Sequence, residues 1–300
     1  MDENERPLLP LLRFTAFAAQ PDGQLDLAEG ALLIAEMAYP SLNHATYFHR
    51  LDALADAVRA ELSLAPDALL PSDQASCRAE AMRILLAMRR VLADREGFTG
   101  DREAYYDPRN SFLNDVLDRK QGIPISLSII YIAVARRLGA PLEGVGLPVH
   151  FVAKWPLPPD EGGDLFIDAF TAGEVMDQAG CTDFLSRFVA STGGDQPDPR
   201  WFDTVSTRAI LTRMLNNLKL IYLQRGETTA ALAVVDRLVA LRPDLPQEIR
   251  DRGLLRLARG EPLLAAADLA AYAERAPQAP EMGRLRKRLS TIGEIRNKLN

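Results

Sequence analysis

His150 and Asp168 stand 18 positions apart, and a Gly-Ile-Pro-Ile-Ser run fills positions 122–126 upstream of both. A nucleophile at a buried helix start, then His, then Asp, is the chain order of a thiol triad. The end of a helix where N–H groups point outward stabilises an anion, and so favours thiolate over thiol. A neighbouring imidazole takes the proton, and a carboxylate fixes the tautomer of the imidazole. The hydroxyl of Ser126 is the group here that could stand in for the thiol. A serine hydroxyl is far less acidic and leans more on its base. The commoner use of serine at this place is to cap or line the first helical turn. The expectation is therefore a structural Ser126, with a catalytic Ser126–His150–Asp168 arrangement as the alternative.

Other residues compete for a role. Cys77 precedes His150 and falls in the first turn of a predicted helix, so it is weighed as a displaced nucleophile against an ordinary small core residue. Cys181 follows the Asp and is assigned no role. Tyr105, Tyr106, Asp107, Arg109 and Asn110 form a charged and aromatic run that could rim a cleft beside His150; the plainer reading is a well-anchored loop. His44 and His49 are five apart on a predicted helix and do not share a face. The chain has no HExxH, GxxxxGK[ST] or GxGxxG, and two cysteines far apart suit neither a zinc site nor a disulfide framework. No metal and no cofactor is expected.

These groups must be held by something, and the pattern of apolar residues says what. A helical stripe runs through Leu25, Leu27, Ala31, Leu32, Ile34 and Ala35 until Pro40 stops it. Ser41 and Asn43 can cap a second helix that runs through Phe48 to Leu62, and Ser72 or Asp73 a third reaching Leu92. Asn110 or Ser111 caps a short helix ending at Gly122. A further helix starts at Pro124, where the missing proline N–H costs nothing, and closes at Gly139 after Arg136 and Arg137. It is apolar all round from Ile129 to Val134, which predicts burial. Short strands are predicted over 142–147, 150–155 and 165–168, with a loop over 156–163. A polar stretch at 193–199 marks the expected domain boundary.

The last hundred residues repeat. Gly226 and Gly260, Pro243 and Pro277, Ala231 and Ala265, Leu220 and Leu254, and Leu223 and Leu257 all keep an offset of 34. That period, with Gly between helices and Pro after the second, is the tetratricopeptide signature. A final helix is predicted over 284–298.

Composition sets the broad class. The 300 residues are 47% hydrophobic and 25% charged, as in folded globular chains. The net charge of −6 speaks against nucleic acid or an anionic membrane as the main partner. The longest apolar stretch, 125–135, is too short to span a bilayer. Two unlinked cysteines fit a reducing, cytoplasmic setting.

Together, Tyr105-Tyr106-Asp107-Pro108-Arg109-Asn110-Ser111, Gly122-Ile123-Pro124-Ile125-Ser126, Arg137-Leu138-Gly139, Gly144-Val145-Gly146, Pro148-Val149-His150-Phe151 and Ile167-Asp168-Ala169-Phe170 resemble the SirB-type transglutaminase-like family. Members typically add tetratricopeptide repeats, and related segments occur in certain F-box proteins. Val149 departs from the pattern, which has Gly before the His. The larger departure is from active transglutaminase-like enzymes, whose cysteine would fall at or near Pro124; no cysteine lies between Gly122 and Gly139. The resemblance implies an α+β fold: a helix-rich, papain-like domain with a small antiparallel sheet over 1–200 (helical part 20–95, core 100–190), then an all-α helical hairpin region over 201–300. It implies a His–Asp remnant and not an intact triad. The expected function is that of a non-catalytic or cryptically catalytic transglutaminase-like protein acting through protein or peptide interaction, with regulation as its use. The alternative is a hydrolase or acyltransferase on amide bonds.

Overall fold

A computed structural model describes residues 8–70, 77–191, 198–283 and 285. Its helices are α1 (Leu8–Ala18), α2 (Leu27–Ala35), α3 (His44–Glu61), α4 (Arg78–Arg89), α5 (Leu113–Arg119) and α6 (Pro124–Leu138). They continue with α7 (Gln178–Ser191), α8 (Thr207–Gln224), α9 (Thr228–Leu241), α10 (Pro246–Ala258) and α11 (Pro262–Arg275). Six short strands are interspersed: β1 (Thr99–Gly100), β2 (Gln121–Gly122), β3 (Glu143–Val145), β4 (Val152–Trp155), β5 (Leu165–Asp168) and β6 (Glu174–Asp177). The chain divides into two compact units. One holds Asp22–Ala35 and Ser41–Met214; the other holds the residues up to Pro21, Glu36–Pro40 and those from Leu215 onward.

The first unit is the α+β part. A four-stranded antiparallel sheet runs in the order β3-β4-β5-β6, and β1 and β2 form a separate parallel pair. Helix α6 is its centre. Every residue from Pro124 to Ala135 is buried, and only Arg136 and Arg137 reach outward near its end. Pro124 sits at the first turn, where it sacrifices no hydrogen bond. Gly139 closes the helix at φ 73°, a left-handed conformation that glycine takes without a Cβ penalty, and Ala140 N–H reaches back to Ala135 O at 2.9 Å. Helices α2 and α3 and strands β3 and β4 pack on this core.

Several expected boundaries move. His150 is not in a strand: β4 begins at Val152, and His150 ends a tight turn whose N–H donates to Leu147 O at 3.3 Å. The helix expected to end at Gly122 ends at Arg119, because Lys120 turns left-handed (φ 61°) and residues 121–122 pair with β1. Asn110 and Ser111 do not cap it; Phe112 is the residue before its first turn. Cys77 precedes α4 rather than lying in its first turn. Ser72 and Asp73 lie outside the described residues, as do most of the expected linker and of the final helix. Strand β6 and helices α1 and α7 were not expected. Pro10 falls in the first turn of α1, where proline is tolerated.

The second unit is all-α. Helices α9 and α11 start at Thr228 and Pro262, one 34-residue period apart. Gly226 (φ 70°) and Gly260 (φ 76°) make the turns before them. Helices α10 and α11 approach so closely at Gly253 that a Cβ there would lie 2.9 Å from Leu269. Asp236 and Asp268 are bracketed by Arg252 and Arg256, an interhelical charge lattice in a largely buried position. Among the described residues no helix is long and apolar enough to cross a membrane.

Candidate functional site

The site grows from two adjacent turns. The Leu147–His150 turn delivers His150 just ahead of β4, and β5 ends on Asp168. Strands β4 and β5 pair antiparallel, with Ala153 opposite Ile167, so the start of one meets the end of the other. His150 Nε2 lies 3.0 Å from Asp168 Oδ2. The carboxylate accepts three more hydrogen bonds, from Phe170 N–H (2.9 Å), Thr171 N–H (3.3 Å) and the Thr171 hydroxyl (2.9 Å). Burial alone would raise its pKa, yet the donors of His150, Thr171 and Phe170 outweigh that and hold it below the ordinary value. A persistent carboxylate on Nε2 leaves Nδ1 as the ring nitrogen with no protein partner among the described residues.

The turn is unusual in its third residue. Val149 has φ 53° and is 69% exposed. Pro148 and Val149 occupy the two central positions of a turn in which the second asks for glycine. A β-branched residue there is strained. Arg213 steadies the turn: Nη1 donates to Leu147 O at 3.0 Å and Nη2 to His150 O at 2.6 Å, and its guanidinium stacks over Phe151.

Aromatic rings wall the imidazole. Phe184 of α7 lies 5.0 Å from it, and Phe170 stands edge-on at 6.1 Å. Tyr105 packs edge-on against Phe170 at 6.1 Å, and Tyr106 against Tyr105. Phe170 can sit there because residue 100 is glycine: a Cβ on Gly100 would fall 2.4 Å from the ring.

Ser126 is elsewhere in its chemistry. It is fully buried at the third position of α6, where its hydroxyl donates to Asn110 O at 2.6 Å and accepts from Ile123 N–H at 3.1 Å. Those are the bonds of a helix cap, extended to a neighbouring loop. It makes no hydrogen bond to His150. Asn110 is not on a rim. It is fully buried, donating to Asp101 Oδ2 and Ala104 O and accepting from Arg119. Its position is that of an internal strut, because a side-chain amide can bind two acceptors and one donor at once. Asp107 and Arg109 pair with each other at 2.6 Å near the surface. Of the proposed rim, Tyr105 and Tyr106 are the residues that reach the aromatic wall.

Neither cysteine touches the imidazole. Cys77 is exposed. Cys181 is fully buried among Val145, Leu147, Phe166 and Leu185, and burial, with the nearby Asp168 charge, pushes its thiol up to about 12. No group of three metal-binding side chains occurs among the described residues. A cavity of about 590 Å³ opens in the same unit, lined by residues including Leu27, Ile132, Arg136, Gly144 and Ile210. None of the candidate site residues lines it. Phe184 and Arg213 were absent from the sequence reading, and Phe170 entered it only as part of a motif. Arg213 acts through backbone carbonyls, which no residue-type spacing announces.

Comparison with known proteins places the two parts of the chain in known families. The family description "Transglutaminase-like superfamily" matches residues 45–216, and "Tetratricopeptide repeat" matches 218–290. A UPF0162 protein of Xylella fastidiosa (strain 9a5c) is 34% identical over 296 residues, 97% of this chain and 98% of its own. A UPF0162 protein of Vibrio cholerae is 31% identical over 69% of this chain and 74% of its own. The human F-box only protein 21 is 31% identical over 68% of this chain, which is 33% of its own length. No solved structure matches.

Proposed function

The chain belongs to the transglutaminase-like superfamily, alongside the UPF0162 proteins, and from that premise we propose that it binds a peptide or protein segment at the His150–Asp168 site without thiol chemistry. The observation that carries the reading is the fate of Ser126. Its hydroxyl is committed to Asn110 O and Ile123 N–H, while His150 and Asp168 keep a short, well-supported bond. A base with its orienting carboxylate, but with no hydroxyl or thiol in hydrogen-bond contact with it among the described residues, lacks the first requirement of covalent catalysis. Aromatic walls beside a hydrogen-bonding imidazole suit recognition of a side chain. The helical repeats supply the kind of surface that commonly binds proteins. An intracellular, regulatory setting fits two cysteines that remain free thiols.

An amide- and ester-substrate screen of the wild type beside Ser126→Ala and Cys77→Ala tests this. No turnover above background is expected from any of the three. Turnover abolished by Ser126→Ala would make the protein a serine enzyme and overturn the reading. Turnover abolished only by Cys77→Ala would move the nucleophile to the start of α4.

A further inference from the structure

Beside the His150–Asp168 pair lie two cations that no carboxylate answers. Most arginines of the α+β unit sit within 4 Å of an acidic oxygen, for example Arg50 on Asp118, Arg83 on Glu80 and Arg137 on Asp52. Arg213 and Arg102, like Arg78 and Arg89, meet none among the described residues, and of these four it is Arg213 and Arg102 that lie at the site. Arg213 is half-buried and directs two of its five N–H bonds to the carbonyls of Leu147 and His150. The other three have no protein acceptor among the described residues. Arg102 is exposed and lies 5.3 Å over the ring of Phe170, the same ring that stands edge-on to His150 and to Tyr105. The Tyr105 hydroxyl also has no hydrogen-bond partner among the described residues, and its ring packs edge-on against Phe170 at 6.1 Å.

Two guanidinium groups and a phenol thus lie around one imidazole: Arg213 on its main-chain carbonyl, and Arg102 and Tyr105 on the Phe170 ring that stands edge-on to it. Guanidinium–carboxylate contacts are among the strongest charge-assisted hydrogen bonds, and partial burial strengthens them. In a chain of net charge −6, an uncompensated basic spot stands out against the surrounding field. The charge of Asp168 behind His150 disfavours a phosphate dianion more than a singly charged carboxylate.

We propose that Arg213, Arg102 and Tyr105 form a carboxylate-binding subsite next to His150, so that the peptide taken at this site carries a free C-terminus or an acidic side chain there. The proposal rests on the peptide-binding reading above. It deepens that reading by naming the ligand's charge.

The test follows the imidazole signals of the full chain by NMR with labelled histidine. His150 is assigned against His44 and His49 by its absence from a His150→Asn sample. Three probes are titrated: N-acetyl-phenylalanine, its neutral amide, and N-acetyl-aspartyl-phenylalanine amide. At least one acid is expected to shift the His150 ring saturably, with the neutral amide about tenfold weaker, as befits loss of a charge-assisted bond. Whichever acid binds identifies the C-terminal or the side-chain source. Arg102→Met and Tyr105→Phe, the second of which keeps the ring that packs on Phe170, should weaken the acid several-fold and the neutral amide by much less. Equal binding of acids and amide would remove the carboxylate subsite while leaving peptide binding in place. Inorganic phosphate displacing the acid at lower concentration than the acid itself needs would overturn the carboxylate assignment. No shift with any probe would overturn both.

Discussion

His150 Nε2 and Asp168 Oδ2 lie 3.0 Å apart where the turn before β4 meets the end of β5, and three further donors fix the carboxylate, two N–H groups on Oδ1 and the Thr171 hydroxyl on Oδ2. The Asp is thus a structural anchor first, whatever the imidazole does. Its folded pKa is lowered from 3.8, so the sign is set: the stabilisation is fully present above the unfolded value and is lost as pH falls through the folded one. Asp168→Asn is expected to cost about 3 kcal/mol near neutral pH, as for breaking a buried hydrogen-bonded charge. The gap between wild type and variant in urea unfolding should stay level at mild acidity and narrow only below the ordinary Asp range. A gap that does not narrow in strong acid would mean that the carboxylate is not ionised in the folded protein.

The strain at Val149 gives a second expectation. Its side chain is exposed, so replacing it removes little packing. A left-handed conformation costs a β-branched residue about 1–2 kcal/mol, and glycine returns part of that through the flexibility of the unfolded chain. Val149→Gly should therefore raise stability by about 0.5–1 kcal/mol in equilibrium denaturation. A loss of stability would show that the valine side chain contributes something beyond its backbone.

Ser126→Ala should be a stability variant. It removes an acceptor from Ile123 N–H and a donor from Asn110 O, which still meet each other at 3.3 Å, so the expected cost is that of a lost helix cap, about 1 kcal/mol. Binding of the acid probe should match wild type at a temperature where both are folded. A binding defect without a drop in melting temperature would place the hydroxyl in the cleft.

The two thiols should react at very different rates. Cys77 is exposed, whereas Cys181 is buried with its pKa pushed up to about 12. Mass spectrometry after alkylation at mild alkaline pH should find Cys77 modified first, with Cys181 following only on unfolding. Rapid native labelling of Cys181 would contradict its burial.

Much of this was legible in the chain. Helix α6 is apolar on every side between a proline start and a glycine stop, a pattern with few other readings. The 34-residue offsets fixed the helical hairpins because each repeat must present the same faces to its neighbours. The His–Asp pairing followed from order and strand character, although His150 proved to be a turn residue. What escaped was tertiary. Phe184 sits on α7, whose Gly180, Thr182 and Ser186 blur its periodicity. Arg213 grips a turn 63 residues upstream through main-chain oxygens, which leave no mark on composition. Asn110 read as surface because polar residues usually are, yet its amide finds three partners inside.

Gly100 gives the molecule a silent switch. The ring of Phe170 rests on its backbone, and Gly100 N–H donates to Phe170 O at 3.1 Å. A single methyl there would evict the ring without altering any charge, hydroxyl or imidazole. Gly100→Ala is thus a separation-of-function allele: it dismantles the aromatic floor from below, spares the helical repeats, and lets a genetic screen ask what the cleft does in the cell apart from the rest of the protein.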